Sequence, residues 1–223
     1  MEQTPWTVRP ASLLDVNAVA RLLRASAVAV DIDGDGTPDG PADPAAAEAA
    51  MRMVLSHVAL QDGEVWVAET DTGPDGGPRE LVAASVWLPG HSDDHLTHLD
   101  GLLRRELHVS DVAAAVGPAE SLRPQVEATA VGVMTTIAGA NPALVLFAVV
   151  VSPRFVGAEM VAVARDVVAP VRKARAGQEL LAVAIDDERA RLLMATGCAE
   201  VDRVLLGDLH LVWLGRALPA PAP

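Results

Sequence analysis

Apolar and polar positions switch between two periods along this chain. Residues 6–10 (WTVRP) read as a short strand. Leu13, Val16, Val19, Ala20, Leu22 and Leu23 then recur at helical spacing, with Ser12 placed to cap that helix. A second helix is predicted over residues 44–60. Residues 64–69 (EVWVAE) and 80–88 (ELVAASVWL) form a hairpin across the Gly- and Pro-rich connection TDTGPDGGPR. Residues 91–138 read as helical on balance, interrupted at VGP and LRP. The run ALVLFAVVV (143–151) has nine apolar residues without alternation, the pattern of a central strand covered on both faces. An Ala- and Val-rich helix follows through Val171, with Pro170 near its end. A buried strand at 179–185 leads to a short helix in DDERARLLMAT, with Gly197 suited to its C-cap. The strands VDRVLL and LHLVWL flank Gly207-Asp208, a Gly-first pair that predicts a II′ hairpin. The predicted order is βαα, ββ, a helical insertion, then βαβαββ. This is an α/β fold with a mixed, mostly antiparallel sheet flanked by helices.

Composition narrows the picture. A chain of 223 residues suits one domain, here taken as 1–216 with an insertion at 91–138 and an unstructured tail at 217–223. Apolar residues make up 51% but aromatics only 3%, so the core rests on Val, Leu and Ala. Tyr is absent, which removes one common catalytic acid. The net charge of −13 argues against a nucleic-acid partner and would attract a cationic small molecule, although solubility alone explains it equally well. The single Cys198 makes no internal disulfide, and the polar start MEQTPWTVRP lacks a secretory layout, so a cytoplasmic protein is expected. Residues 128–153 carry no charge, yet GANP at 139–142 divides them, and no membrane span is expected.

Three stretches carry a family resemblance: VRPASLLD (8–15), VVVSP (149–153) and DDERARLLMATGC (186–198). With the element order, they resemble the GNAT superfamily of acyl-CoA-dependent N-acyltransferases. Within it, the VWVA strand at 65–68, the Val86-Trp87 strand and the inserted helices are most similar to puromycin N-acetyltransferase and related antibiotic-modifying enzymes. The resemblance implies acetyl-CoA as co-substrate and a small amine as acceptor, an antibiotic or other secondary metabolite. It implies a bulge in the strand before SP, where main-chain groups of Val149 and Val151 hold the pantetheine arm and polarise the thioester carbonyl. A following R/Q-x-x-G-x-G/A loop would wrap the pyrophosphate at a helix N-terminus. Here that loop is eroded. Aligned on VSP, its required places fall on Val156, Glu159 and Val161; a shifted register recovers Arg154 and Gly157, with Ala158 beside them, but puts the carboxylate of Glu159 at the last place. The cofactor-binding set implied is Val149, Val151, Arg154, Gly157 and Ala158.

The resemblance also places a Tyr four residues before a Gly to protonate the leaving thiolate; counting back from Gly197 that position is Leu193, leaving water as the proton source. A base must come from loops. HSDDHLTH (91–98) offers His91 and His95, with His98 on the same face and Asp94 able to orient one of them; Glu127 is a weaker alternative. The same cluster also reads as a zinc site or as a solvated helix start. Cys198 reads as a buried filler, and Trp66 and Trp87 as core or as acceptor-pocket lining.

One motif stands apart. DIDGDGTPDG (31–40) places Asp31, Asp33, Asp35, Gly36 and Asp39 as an EF-hand would, but the twelfth position is Ala42, not Glu. In the resembling fold this connection borders the acceptor site, so an acidic lid that attracts protonated amines is preferred to calcium, with an idle loop equally open. Two functions remain: an N-acyltransferase, or a GNAT-like fold that no longer uses acetyl-CoA and serves as a binding or partner subunit or runs different chemistry. A homodimer is left open.

Overall fold

The computed structural model describes residues 6–26, 31–33, 35–37, 39–41, 43–70, 79–90, 93–109, 111, 112, 114, 117, 120–206 and 210–217. Of residues 93–98, 206, 210–213 and 217 only the backbone is described. The elements run β1 (Trp6–Pro10), α1 (Val16–Ala25), α2 (Pro44–Val54) continued by a π-helical stretch Leu55–Ala59, β2 (Glu64–Thr70) and β3 (Glu80–Pro89). They continue as α3 (Asp93–Leu107), α4 (Arg123–Ala140), β4 (Leu144–Val151), α5 (Gly157–Ala174), β5 (Leu180–Ala184), α6 (Asp187–Ala195), β6 (Cys198–Leu206) and β7 (His210–Ala217). The strands form one seven-stranded sheet in the order β1-β2-β3-β4-β5-β7-β6. Every neighbouring pair is antiparallel except β4 and β5, which are parallel and joined by the crossover helix α5.

The unalternating run of β4 has its reason in two covered faces. Leu144, Leu146 and Val149 enter a cluster with Val163, Val167 and Val171 of α5, while Val150 joins Val19 and Ala20 of α1. Helix α4 covers the other half of the sheet, where Ile137 is buried with Val145, Leu181 and Leu214. Helix α3 packs outside α2, through Leu99 and Leu103 against Ala50 and Val58.

Several local expectations hold in altered form. GANP does end a helix, but α4 reaches Ala140 before Asn141 turns left-handed at φ 51°. Helix α5 runs four residues past Pro170 to Ala174, because Val167, Val168 and Val171 are all fully buried and hold the turn against the sheet. Ser12 is the N-cap of a short 3-10 turn, Leu13–Asp15, that leads into α1. There the Asp15 carboxylate accepts from the Ser12 N–H (2.8 Å) and hydroxyl (2.9 Å). The β6–β7 hairpin forms, with Leu206 opposite His210, while its turn lies outside the described residues. Among the described residues no helix is long and apolar enough to cross a membrane.

Cys198 is buried, and burial pushes its thiol up to about 11, so it fills space and does not react. Trp87 is fully buried; its indole N–H donates to the Ser85 hydroxyl (3.2 Å), which donates to the Val167 carbonyl (2.7 Å) and ties the sheet to α5. Ser85→Ala leaves that indole donor without its acceptor in a dry core. It is expected to destabilise the fold by about 2 kcal/mol, read as a shift of the urea midpoint at unchanged slope.

Candidate functional site

Beside β4 the sheet comes apart. The parallel pairing of β4 with β5 covers Leu144–Leu146 opposite Leu180–Ala182 and then stops. On its other side β4 stays paired with β3 to Val151, with a register shift that leaves Phe147 bulged out opposite Val86 and Trp87. The Ser152 N–H donates to the Val82 carbonyl at 2.7 Å, which fixes the phase of that ladder. By the two-residue alternation of an antiparallel pair, the main-chain groups of Val150 and Ala148 also face β3. Those of Val149 and Val151 face away from it, into the gap that β5 has vacated.

The gap holds two adjoining cavities. An inner chamber of about 210 Å³ lies at the apex, walled by Leu23, Phe147, Val183, Ile185, Leu192 and Leu193. An outer corridor of about 220 Å³ continues along Val149–Val151 to Pro153 and Met160, past Asp186 and Glu188. Ser26, Arg189 and Leu192 line both. Arg189 belongs to α6, whose N-cap Asp186 accepts the Arg189 N–H (2.8 Å) and one guanidinium N–H (3.0 Å). The other end of the guanidinium donates to the Ser26 carbonyl at the end of α1. Arg189 thus stands where the two cavities meet, together with Val149 and Val150, which also line both.

The corridor ends at the start of α5, where the first-turn N–H groups of Gly157, Ala158, Glu159 and Met160 lack carbonyl partners within the helix. Gly157 has φ +55°, and a Cβ there would meet nothing within 4 Å. The glycine therefore serves a left-handed turn, and no neighbouring protein atom requires its lack of a side chain. Ala158 and Glu159 are exposed. Arg154 points elsewhere: its guanidinium pairs with Glu80 at 2.7 Å and lies 5.0 Å over the Phe155 ring, which packs edge-on against Trp6.

A polar cavity adjoins this end, lined among others by Arg9, Asp15, Arg21, Glu69, Arg79, Ser152 and Pro153. Arg9 binds Asp15 with two N–H groups, each at 2.9 Å, and Glu69 at 3.0 and 3.1 Å. Arg79 holds the second oxygen of Glu69 at 2.9 Å. These bonds to Arg9 hold the Asp15 carboxyl down at about 2 and lower that of Glu69 as well.

The candidate base residues are scattered. His91 lies outside the described residues, and of His95 and His98 only the helical backbone is described, within α3. Glu127 is exposed on α4 and lines neither cleft cavity. Leu193, where the resemblance would place a proton donor, is a buried wall of the inner chamber. Neither Trp66 nor Trp87 lines the cleft; Trp66 donates to Glu64 at 3.1 Å. In the acidic connection Asp31, Asp33 and Asp39 gather within 4.8 Å of one another, but their oxygens accept N–H groups of the same loop. Asp31 takes those of Asp35 and Gly36, and Asp39 that of Ile32. Ile32 is buried with Leu122, beside Val126, Val133 and Val183, so this loop is anchored next to the inner chamber.

No family model matches the sequence, and no curated protein matches it. Solved structures do match in shape. A polyamine N-acetyltransferase of Drosophila melanogaster that forms N-acetylagmatine superposes with a TM-score of 0.57 at 16% identity, covering 96% of this chain and 100% of that one. A mosquito arylalkylamine N-acetyltransferase-like protein gives 0.56 at 12% identity, covering 95% and 98%. An agmatine N-acetyltransferase gives 0.54 at 16% identity, covering 96% and 99%. The chain has the fold of the GNAT acetyltransferases.

Proposed function

We propose that the protein is an acyl-CoA-dependent N-acyltransferase of the GNAT superfamily that acts on a small amine. One observation carries this reading: the free edge of β4 at Val149 and Val151 faces an open cleft that leads to the unpaired N–H groups of α5. A ligand that offers amide groups in an extended chain can complete the ladder of such an edge, and pantetheine is such a chain. The N-terminus of α5 would receive the pyrophosphate through the N–H groups of Gly157 and Ala158. Arg154 supplies no charge there while Glu80 holds it.

In this reading the amine nitrogen attacks the thioester carbonyl carbon. A C–N bond forms, the C–S bond breaks, and the Val149 N–H stabilises the charge that develops on the carbonyl oxygen. The nitrogen's proton leaves to water or to a base, for which His91 and His95 are proposed first and Glu127 second. With Leu193 in the donor position, the thiolate takes its proton from solvent. The acidic connection at Asp31–Asp39 and the net charge of −13 favour capture of a protonated amine, which must lose its proton before attack. Agmatine and polyamines, the substrates named for the fold neighbours, are cations of this kind. A cytoplasmic location belongs to the same proposal, as does an antibiotic or other secondary-metabolite amine as an alternative acceptor.

A second reading, a GNAT fold that no longer uses acyl-CoA, is favoured by the engagement of Arg154 with Glu80, away from any phosphate. Calorimetric titration with acetyl-CoA separates the two. Micromolar binding, followed by thiol release when agmatine or spermidine is added, is expected; silence up to millimolar concentration would select the second reading.

A further inference from the structure

We infer that the inner chamber is an acyl pocket built for a hydrocarbon acyl group longer than acetyl, of about four carbons. This rests on the reading of the cleft as an acyl-CoA site and specifies its donor. The direction of the cleft supplies the first step. Phosphates belong at the outer end, where the first turn of α5 opens beside Pro153 and Met160. An extended arm along β4 then brings the thioester level with Val149, and whatever the thioester carries projects onward into the chamber at the apex.

The second step is the chemistry of that chamber. Its walls are Leu23, Phe147, Val183, Ile185, Leu192 and Leu193, and among the described residues no carboxylate lines it. The one charged group at its edge, Arg189, is a cation already held by Asp186 and the Ser26 carbonyl. A protonated amine finds no counter-ion there and would meet a like charge, so the chamber does not suit the acceptor. A hydrocarbon chain loses no hydrogen bond on entering it. An acetyl group ends in a single methyl and would leave most of a chamber of about 210 Å³ unfilled. Apolar lining that a short acyl group leaves against water forgoes the burial that a longer chain would gain. Phe147, bulged out of the ladder and 42% exposed, and Ile185, 39% exposed, are large apolar side chains left uncovered at its mouth. A longer acyl chain would cover both.

The test is calorimetric titration of the intact protein with free CoA, acetyl-CoA, butyryl-CoA and succinyl-CoA. Each methylene buried strengthens binding about fourfold, so butyryl-CoA is expected to bind roughly 15-fold more tightly than acetyl-CoA. Succinyl-CoA, of equal length with a terminal carboxylate, is expected to bind more weakly than butyryl-CoA. Ile185→Trp, at a position that is not part of the buried core, fills the mouth and should cut the butyryl advantage to under about threefold at an unchanged melting temperature. Equal binding of acetyl- and butyryl-CoA overturns the inference and leaves the acyltransferase reading intact. Tighter binding of succinyl-CoA also overturns it, by making Arg189 a reader of acidic donors. Absence of binding by CoA and every thioester overturns both.

Discussion

Val149→Pro is expected to lower kcat/KM for acyl transfer by about 10²- to 10³-fold. Proline removes one N–H, and at this position that N–H is not part of the β3–β4 ladder. The ladder bonds run through Ser152, Val150 and Ala148, as the 2.7 Å bond from Ser152 to Val82 fixes, and they survive the change. Ala148 before the new proline is already extended, so the usual steric objection is absent. The donor that is lost is the one proposed to face the thioester oxygen, where charge accumulates only during the reaction. The deficit should therefore appear in kcat more than in the affinity for the bound thioester. Val149→Ala keeps the N–H and trims only the side chain, and it should lose less than about tenfold. Steady-state kinetics on both variants, with far-UV circular dichroism as a check on folding, measures the difference. Equal losses in the two would remove Val149 from the mechanism.

Arg9→Met is expected to cost about 2 to 3 kcal/mol of stability, with the protein's acid sensitivity changing at the same time. Arg9 holds Asp15 at the start of α1 and Glu69 at the end of β2, and both carboxylates are largely buried. Its own side chain is 36% exposed, so solvent screening reduces the loss below that of a fully buried pair. The Asp15 carboxyl is lowered from 3.8 to about 2 by its bonds to Arg9, and Glu69 is lowered from 4.5 by the same partner. A folded-state value below the unfolded one means stability that is fully present above the unfolded value and lost as pH falls through the folded one. The wild type should therefore lose about 2 kcal/mol through Asp15 between roughly pH 4 and pH 2. Arg9→Met should lose much less over that window, having given up the stabilisation already. Urea titrations at pH 7, 4 and 2.5 read both effects, and parallel pH slopes in the two proteins would contradict this assignment.

The sequence carried much of the fold and little of the site, for a physical reason. Helix and strand order is written in local periodicity: the unbroken apolar run at 143–151 required a strand with two covered faces, and α1 and α5 supply the covers. Asn141 announced the end of α4 because few other residues turn left-handed cheaply. The site depends instead on encounters between distant residues. Arg154 matched a phosphate-loop position by spacing, but Glu80, 74 residues away, claims it. Arg189 reaches the end of α1 from 163 residues away, and no local motif marks either partner. The resemblance implied a bulge in this strand, but its place at Phe147 was not marked, since an extra residue in one strand is defined only by its partner strand. A clue was present in the absence of Tyr, which made Leu193 an apolar wall; it became legible as a pocket only once Val183 and Ile185 stood opposite.

In the proposed function a CoA thioester completes the free edge of β4. Amide hydrogen exchange, resolved to single residues and recorded with and without saturating acetyl-CoA, tests it most directly. Slowed exchange is expected at Val149 and Val151 and at the first-turn amides Gly157–Met160, with Val150 unchanged because its N–H faces β3. Ligand-induced protection confined to other parts of the sheet, with these amides unaltered, would contradict it.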